Sequence, residues 1–207
     1  MIHHLTVITK RCYPSILVVG QFMDAVLSGK YDTDNLAIIM SQTGGCCRAS
    51  NYISFIRRAL DKAGLSHIPV ISLNPNGMEK NEGFKMTFGF LRDAVKCIAY
   101  GDLMMKCLYR VRPYELVPGS AEELHQKWLK ICTDQILNPR GNYSYKQVCR
   151  GIVREFDALP IKEDLRKPRV GIVGEILVKY MPLANNHLVE LLEKEGAEAL
   201  IVTDLGC

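Results

Sequence analysis

Two apolar runs flank a turn rich in glycine and cysteine, and that arrangement limits the folds open to this chain. Leu36-Ala37-Ile38-Ile39-Met40 reads as a fully buried strand that runs into Thr43-Gly44-Gly45-Cys46-Cys47. Beyond the turn, Ala49, Tyr52, Ile53, Ile56, Ala59, Leu60 and Ala63 recur at helical spacing up to a stop at Gly64. Ile68-Pro69-Val70-Ile71-Ser72-Leu73 follows as a second strand, with its proline near the start where it disturbs a ladder least. Strand, helix and strand in that order call for a parallel pair with a right-handed crossover. An earlier helix starts at Pro14, a residue favoured in the first helical turn. It carries Ile16, Val19, Phe22, Met23, Val26 and Leu27 towards Gly29.

The middle of the chain is helical. Phe88, Leu91, Val95, Ile98 and Met105 are spaced for a long helix to about Tyr109, with Pro113 beyond it. Ser120 with Glu123 reads as a capping box before Leu124, Trp128 and Ile131, and Ser144 with Gln147 as a second before Val148, Ile152 and Phe156. Asn138-Pro139-Arg140-Gly141-Asn142 is the turn between them. Arg169-Val170-Gly171-Ile172-Val173-Gly174 is the next strand, and Glu175 to Lys179 continues as strand or loop. Asn185 or Asn186 caps a helix through Leu188, Leu191 and Leu192 that ends at Gly196, and Ala199-Leu200-Ile201-Val202 closes the unit as a strand.

The expected fold is α/β, with two Rossmann-like βαβ pieces of parallel strands separated by a helical insertion. Residues 1–80 form the first lobe with the cysteine turn, 81–165 the insertion, and 166–207 the start of the second lobe. The abrupt ends, with Cys207 just past an apolar run, lead us to expect a segment of a longer protein.

Eight cysteines in 207 residues make the redox setting matter. Met1-Ile2-His3-His4-Leu5 lacks the basic and apolar regions of a signal peptide, and no apolar run nears the roughly 20 residues needed to cross a bilayer. A cytoplasmic chain with reduced thiols is therefore expected. The net charge of +4 is mild, and Lys and Arg are interspersed with Asp and Glu, which argues against a nucleic-acid or membrane partner.

Gly44 and Gly45 allow backbone angles that other residues resist and let a ligand approach closely. The helix start that follows favours an anion or a thiolate, the form of cysteine that both a metal ligand and a nucleophile require. Cys12 holds the equivalent place before the Pro14 helix, so two cysteines at two helix starts are candidates for one site. A tight turn with buried thiols is the plainer reading of the same pattern, and a redox pair of Cys46 and Cys47 is a third. Gly171-Ile172-Val173-Gly174 begins like a dinucleotide fingerprint but lacks the third glycine and a short turn into a helix, and no Walker A sequence is present. The histidines, His3, His4, His67, His125 and His187, show no metal-ligand spacing and read as surface or half-buried residues. Cys97, Cys107, Cys132 and Cys149 fall inside helices and read as core. Arg110, Arg112, Pro113, Tyr114 and Glu115 read as a helix-terminus ion pair, with recognition of a phosphate or carboxylate as the alternative.

Several runs together resemble one family. The most specific are Cys12-Tyr13-Pro14-Ser15-Ile16 to Gly20-Gln21 and Gln42-Thr43-Gly44-Gly45-Cys46-Cys47-Arg48-Ala49-Ser50-Asn51-Tyr52. Tyr100-Gly101-Asp102, Tyr109 to Glu115, Phe156 to Pro160, Gly171 to Lys179 and Ala184-Asn185-Asn186 add to them. The chain resembles the large acyl-CoA dehydratase activase-related proteins, which carry a region similar to 2-hydroxyacyl-CoA dehydratase and benzoyl-CoA reductase subunits. The likeness covers essentially the whole chain but one internal stretch of the family's usual length.

That resemblance implies an iron–sulfur cluster of the 4Fe-4S kind, with low-potential electron transfer to a CoA-thioester-type substrate driven by an actin-like ATPase activator. Cys12 matches the family's cysteine before Tyr-Pro, and Cys47 the cysteine before Arg; both are implied metal ligands. Cys46 stands where the family has a small residue or proline. Gly44, Gly45 and Arg48 are the implied cofactor-binding neighbours, and Cys207 lies near the place of a third ligand. ATP binding is not carried over, because its motifs are absent, and no catalytic residue is assigned. The implied partners are the activator or the rest of a parent chain. The alternative is a non-catalytic scaffold or docking domain that holds no cluster.

Overall fold

The computed structural model describes residues 12–42, 48–73 and 87–202, with the backbone alone at Arg48 and Ala49. The fold is mixed α/β, and the described strands form two parallel two-stranded sheets. The chain divides into two compact units, Met1–Lys85 and Met86–Cys207. Among the described residues no helix is long and apolar enough to cross a membrane.

The first unit holds α1 (Tyr13–Leu27), β1 (Ile38–Ser41), α2 (Tyr52–Lys62) and β2 (Val70–Leu73). β1 and β2 pair in parallel, Ile38 opposite Val70 and Ser41 opposite Leu73. The strand–helix–strand order of the sequence thus gives the parallel pair it calls for. Arg48 to Asn51 form a single 3₁₀ turn that leads into α2. The buried face of α2 is Tyr52, Ile53, Ile56, Ala59 and Leu60, the stripe its spacing predicts. In α1 the buried positions are Pro14, Ser15, Val18, Val19 and Val26, a stripe whose one hydroxyl is Ser15. Both helices stop near a glycine in the left-handed region, Gly29 at φ +70° and Gly64 at φ +75°.

The second unit holds α3 (Phe88–Val111), α4 (Ser120–Leu137), α5 (Tyr145–Asp157), β3 (Arg169–Ile172), α6 (Ile176–Tyr180), α7 (Leu188–Lys194) and β4 (Glu198–Ile201). Tyr100, Met104 and Leu108 of α3 pack with Trp128 and Cys132 of α4 and with Val148, Ile152 and Phe156 of α5. Gly151 lies under the Trp128 ring, where a Cβ would overlap it, so the small residue is what lets α4 and α5 approach. On its other side α3 sends Met105 and Tyr109 against Ile172, Val189, Ala199 and Ile201, the core beneath the parallel β3–β4 pair.

Four expectations need correcting. Ser120 is the first residue of α4 rather than its cap; Gly119, at φ +89°, holds that place. The Glu115 carboxylate does the capping instead, accepting from Gly119 N (2.7 Å) and Ala121 N (2.9 Å). Residues 176–180 are helical, although their β-branched run reads as strand. Glu175 accepts from Val178 N at the start, and Asn185 Nδ2 donates to the carbonyls of Val178 and Lys179 at the end. β3 therefore does turn directly into a helix, through Val173 and Gly174. Cys97 is exposed rather than core, because the first turns of α3 project beyond the packed residues that begin at Tyr100. The second capping box, Ser144 with Gln147, forms as read, and Asn185 Oδ1 accepts from Leu188 N at the start of α7.

One carboxylate ties the helices of this unit to its sheet. Glu198 in β4 is 4% exposed and accepts from Tyr114 Oη (2.6 Å), Arg110 Nη1 (3.0 Å) and Arg169 Nε (3.1 Å). Burial by itself pushes this carboxyl up, but the tyrosine hydroxyl and the two guanidinium groups outweigh it and hold the group below the ordinary carboxylate value. A depressed folded-state value stabilises the fold above the unfolded pKa of about 4.3, and that contribution drains away as pH falls below it. Glu198→Gln is expected to cost about 1.5–3 kcal/mol at neutral pH, where hydrogen bonds to a charged group are lost, and to flatten the acid limb of stability. Urea unfolding at pH 7 and pH 3 measures both effects; equal midpoints for the two proteins at pH 7 would contradict the assignment.

Candidate functional site

The start of α1 sets Cys12 at the N-cap, with extended backbone angles (φ −95°, ψ 130°) and its carbonyl accepting from Ile16 N at 3.3 Å. Pro14 falls in the first turn, where its missing N–H costs nothing and its fixed φ suits the helix. The Cys12 thiol is half-buried, forms no disulfide and makes no capping hydrogen bond. No acidic residue occupies the first turn of α1 or of α2, so neither helix start has its partial positive charge offset by a carboxylate. In α4, by contrast, Glu122 and Glu123 fill that role.

Three residues on, Ser15 is fully buried and its Oγ has no hydrogen-bond partner among the described residues. A buried hydroxyl left unmet costs about 1–3 kcal/mol, so its presence in the first turn needs a reason. Sequence reasoning assigned Ser15 no role. The signal was there: Ser15 is the one polar member of the buried stripe of α1.

The turn expected to carry the second ligand lies between β1 and α2. Gly44, Gly45, Cys46 and Cys47 are outside the described residues, as are His3, His4 and Cys207, and of Arg48 only the backbone is described. The ends of that turn are held by Gln42, buried just past β1. Its Nε2 donates to the Ser50 carbonyl (2.9 Å) and its Oε1 accepts from Ser72 Oγ (2.6 Å), while Gln42 N donates to Leu73 O (3.0 Å). One side chain thus ties the end of β1 to the entry of α2 and to β2. Gln42→Leu is expected to cost about 1–3 kcal/mol, through the two lost side-chain bonds. Denaturant unfolding checks it; an unchanged midpoint would show that the amide holds nothing.

The remaining cysteines divide by environment. Cys132 is buried, and burial together with the nearby Cys149 and Cys97 pushes its thiol up to about 11. Cys107 rises to about 11 through burial and then Asp157. Burial favours the neutral thiol at both positions. Among the described residues no group of three or more His, Cys, Asp or Glu is placed to hold a metal ion. His67 and His187 pair with Asp34 and Glu190 at the surface.

The arginine cluster after α3 is an ion-pair network. Arg112 makes a two-pronged bond to Glu193 (2.8 and 3.0 Å) and Arg110 is engaged by Glu198, so both guanidinium groups already hold carboxylates. At the Gly171 to Gly174 turn the carboxylate of Glu175 takes the helix start that a phosphate would need. Lys179 was also missed by sequence reasoning. It is buried at 6% exposure, donates to Val202 O at 2.8 Å, and lies 5.1 Å from the centre of the Tyr180 ring. The chain matches no known protein family, no curated protein and no solved structure.

Proposed function

We propose that the chain is an iron–sulfur component resembling 2-hydroxyacyl-CoA dehydratase subunits and their ATP-dependent activases, engaged in low-potential electron transfer to a CoA-thioester-type substrate. The observation that carries the reading is Cys12, a free thiol at a helix N-cap that makes no capping bond, beside a buried hydroxyl with no partner. In this reading Cys12 and Cys47 are the thiolate ligands of a 4Fe-4S cluster, Gly44 and Gly45 let it approach the backbone, and Arg48 offsets its charge. The two strand–helix–strand pieces are Rossmann-like lobes, and the setting is a reducing cytoplasm. A bound cluster supplies single electrons at low potential. The work of the chain is to hold its thiolates: Cys12 sits at the N-cap of α1, and Gln42 fixes the ends of the segment that bears Cys47. ATP hydrolysis belongs to an actin-like activator, not to this chain.

Anaerobic reconstitution with iron and sulfide is expected to give a brown protein holding about four iron and four sulfide per chain. Cys12→Ala and Cys47→Ala are each expected to lose most of that iron. A colourless, iron-free protein after reconstitution would refute the reading.

A second reading, a docking domain without a cluster, draws on one feature. Phe88, Leu91, Val95 and Ile98 form a stripe along the first half of α3 that is exposed at 83%, 52%, 59% and 57%. It expects the iron content of wild type and Cys47→Ala to be equal and near zero.

A further inference from the structure

We infer that Lys179 is the counter-charge for the carboxylate of a small molecule bound at the carboxyl ends of β3 and β4; this site stands whether or not the chain holds a cluster. Among the described residues two charged side chains are buried, Glu198 and Lys179, the latter at 6% exposure. A buried charge is costly unless an opposite charge meets it. Glu198 is met by Arg110 and Arg169. No carboxylate among the described residues meets Lys179. Its one hydrogen bond goes to the neutral carbonyl of Val202 (2.8 Å), and the centre of the Tyr180 ring lies 5.1 Å away. Glu175, one helical turn earlier, spends its carboxylate on Val178 N. An ammonium has three protons, so two of those on Lys179 lack an acceptor among the described residues.

The lysine lies where parallel α/β sheets take their ligands, outside the carboxyl ends of the strands. Val202 directly follows β4 and donates its own N–H to the carbonyl of Ile172, the last residue of β3. The ammonium on Val202 O is therefore at the end of both strands. The chain leaves β3 through Val173 and Gly174, and nothing stands within 4 Å of the place a Cβ on Gly174 would take. Val173, Ile176 and Leu183, in and just beyond that turn, are large apolar side chains left exposed. Apolar surface beside a buried cation suits a carboxylate with a hydrocarbon tail. One ammonium, with Glu175 a turn away, matches a single negative charge better than the nearly two of a phosphate.

Isothermal titration of the full chain with hexanoate, hexanamide, acetate and inorganic phosphate tests the site. Hexanoate is expected to bind at least tenfold more tightly than the other three, and Lys179→Met to remove that preference. Without ligand, Lys179→Met is expected to melt at the wild-type temperature or above, because it deletes an unpaired buried charge; a clear loss would assign the lysine to the fold instead. No binding of hexanoate, or equal binding of hexanoate and its neutral amide, would overturn the proposal on the wild-type chain alone. Phosphate binding best would overturn the carboxylate assignment. Asp204 lies outside the described residues and supplies the last control. If Asp204→Asn lowers the melting temperature of wild type but not of Lys179→Met, that aspartate is the partner of the lysine and the proposal fails.

Discussion

A parallel strand pair cannot be closed by a hairpin: the chain must leave the first strand, cross in a helix and return. Among the described residues both sheets are parallel pairs, and in each the chain enters a helix between its two strands. The two helix starts are managed differently. After β3, Glu175 fills the helix start with its own carboxylate and Asn185 secures the far end. After β1, Gln42 clamps the flanks of the turn, and no acidic residue occupies the start of α2. The first helix start carries its own carboxylate; the second carries none in its first turn.

Buried polar groups are met in some places and not in others. In the second unit Glu198 is fully met by Tyr114, Arg110 and Arg169, and Tyr100 donates to Gln135 within the helical core at 3.0 Å. Satisfied networks of this kind rigidify a core and fix one arrangement of its helices. In the first unit Gln42 is met on both sides but Ser15 is not. Among the described residues Asp102 Oδ1 in α3 and His125 Nδ1 in α4 share that condition, so unmet buried polar atoms occur in both units.

Much of this fold is legible in the sequence where periodicity is strong. The stripe of α2, the Ser144–Gln147 box and the apolar runs of β1, β2 and β4 mark elements that form, because local propensity and burial agree there. The start of α4 and the helix α6 are not legible. Both depend on side chains at a distance along the chain, Glu115 for the first and Asn185 for the second, and a window of local pattern does not contain them. The apolar spacing of Phe88 to Ile98 gives a helix but not its burial, since periodicity reports a face and not what covers it. Of the candidate site, Cys12 at a helix start is legible from Pro14 alone. The burial of Ser15 and the clamping role of Gln42 emerge only once burial and hydrogen bonds are known.

The central claim is that Cys12 is a metal-bound thiolate in the working protein, and its accessibility to alkylation tests that directly. Cys97 is exposed on α3 and serves as an internal control. Under anaerobic conditions iodoacetamide should modify both Cys12 and Cys97 in the metal-free chain. After loading with iron and sulfide, Cys12 should be protected while Cys97 still reacts, as read by peptide mass spectrometry. Equal modification of Cys12 before and after loading, in protein that has bound iron, would contradict the account.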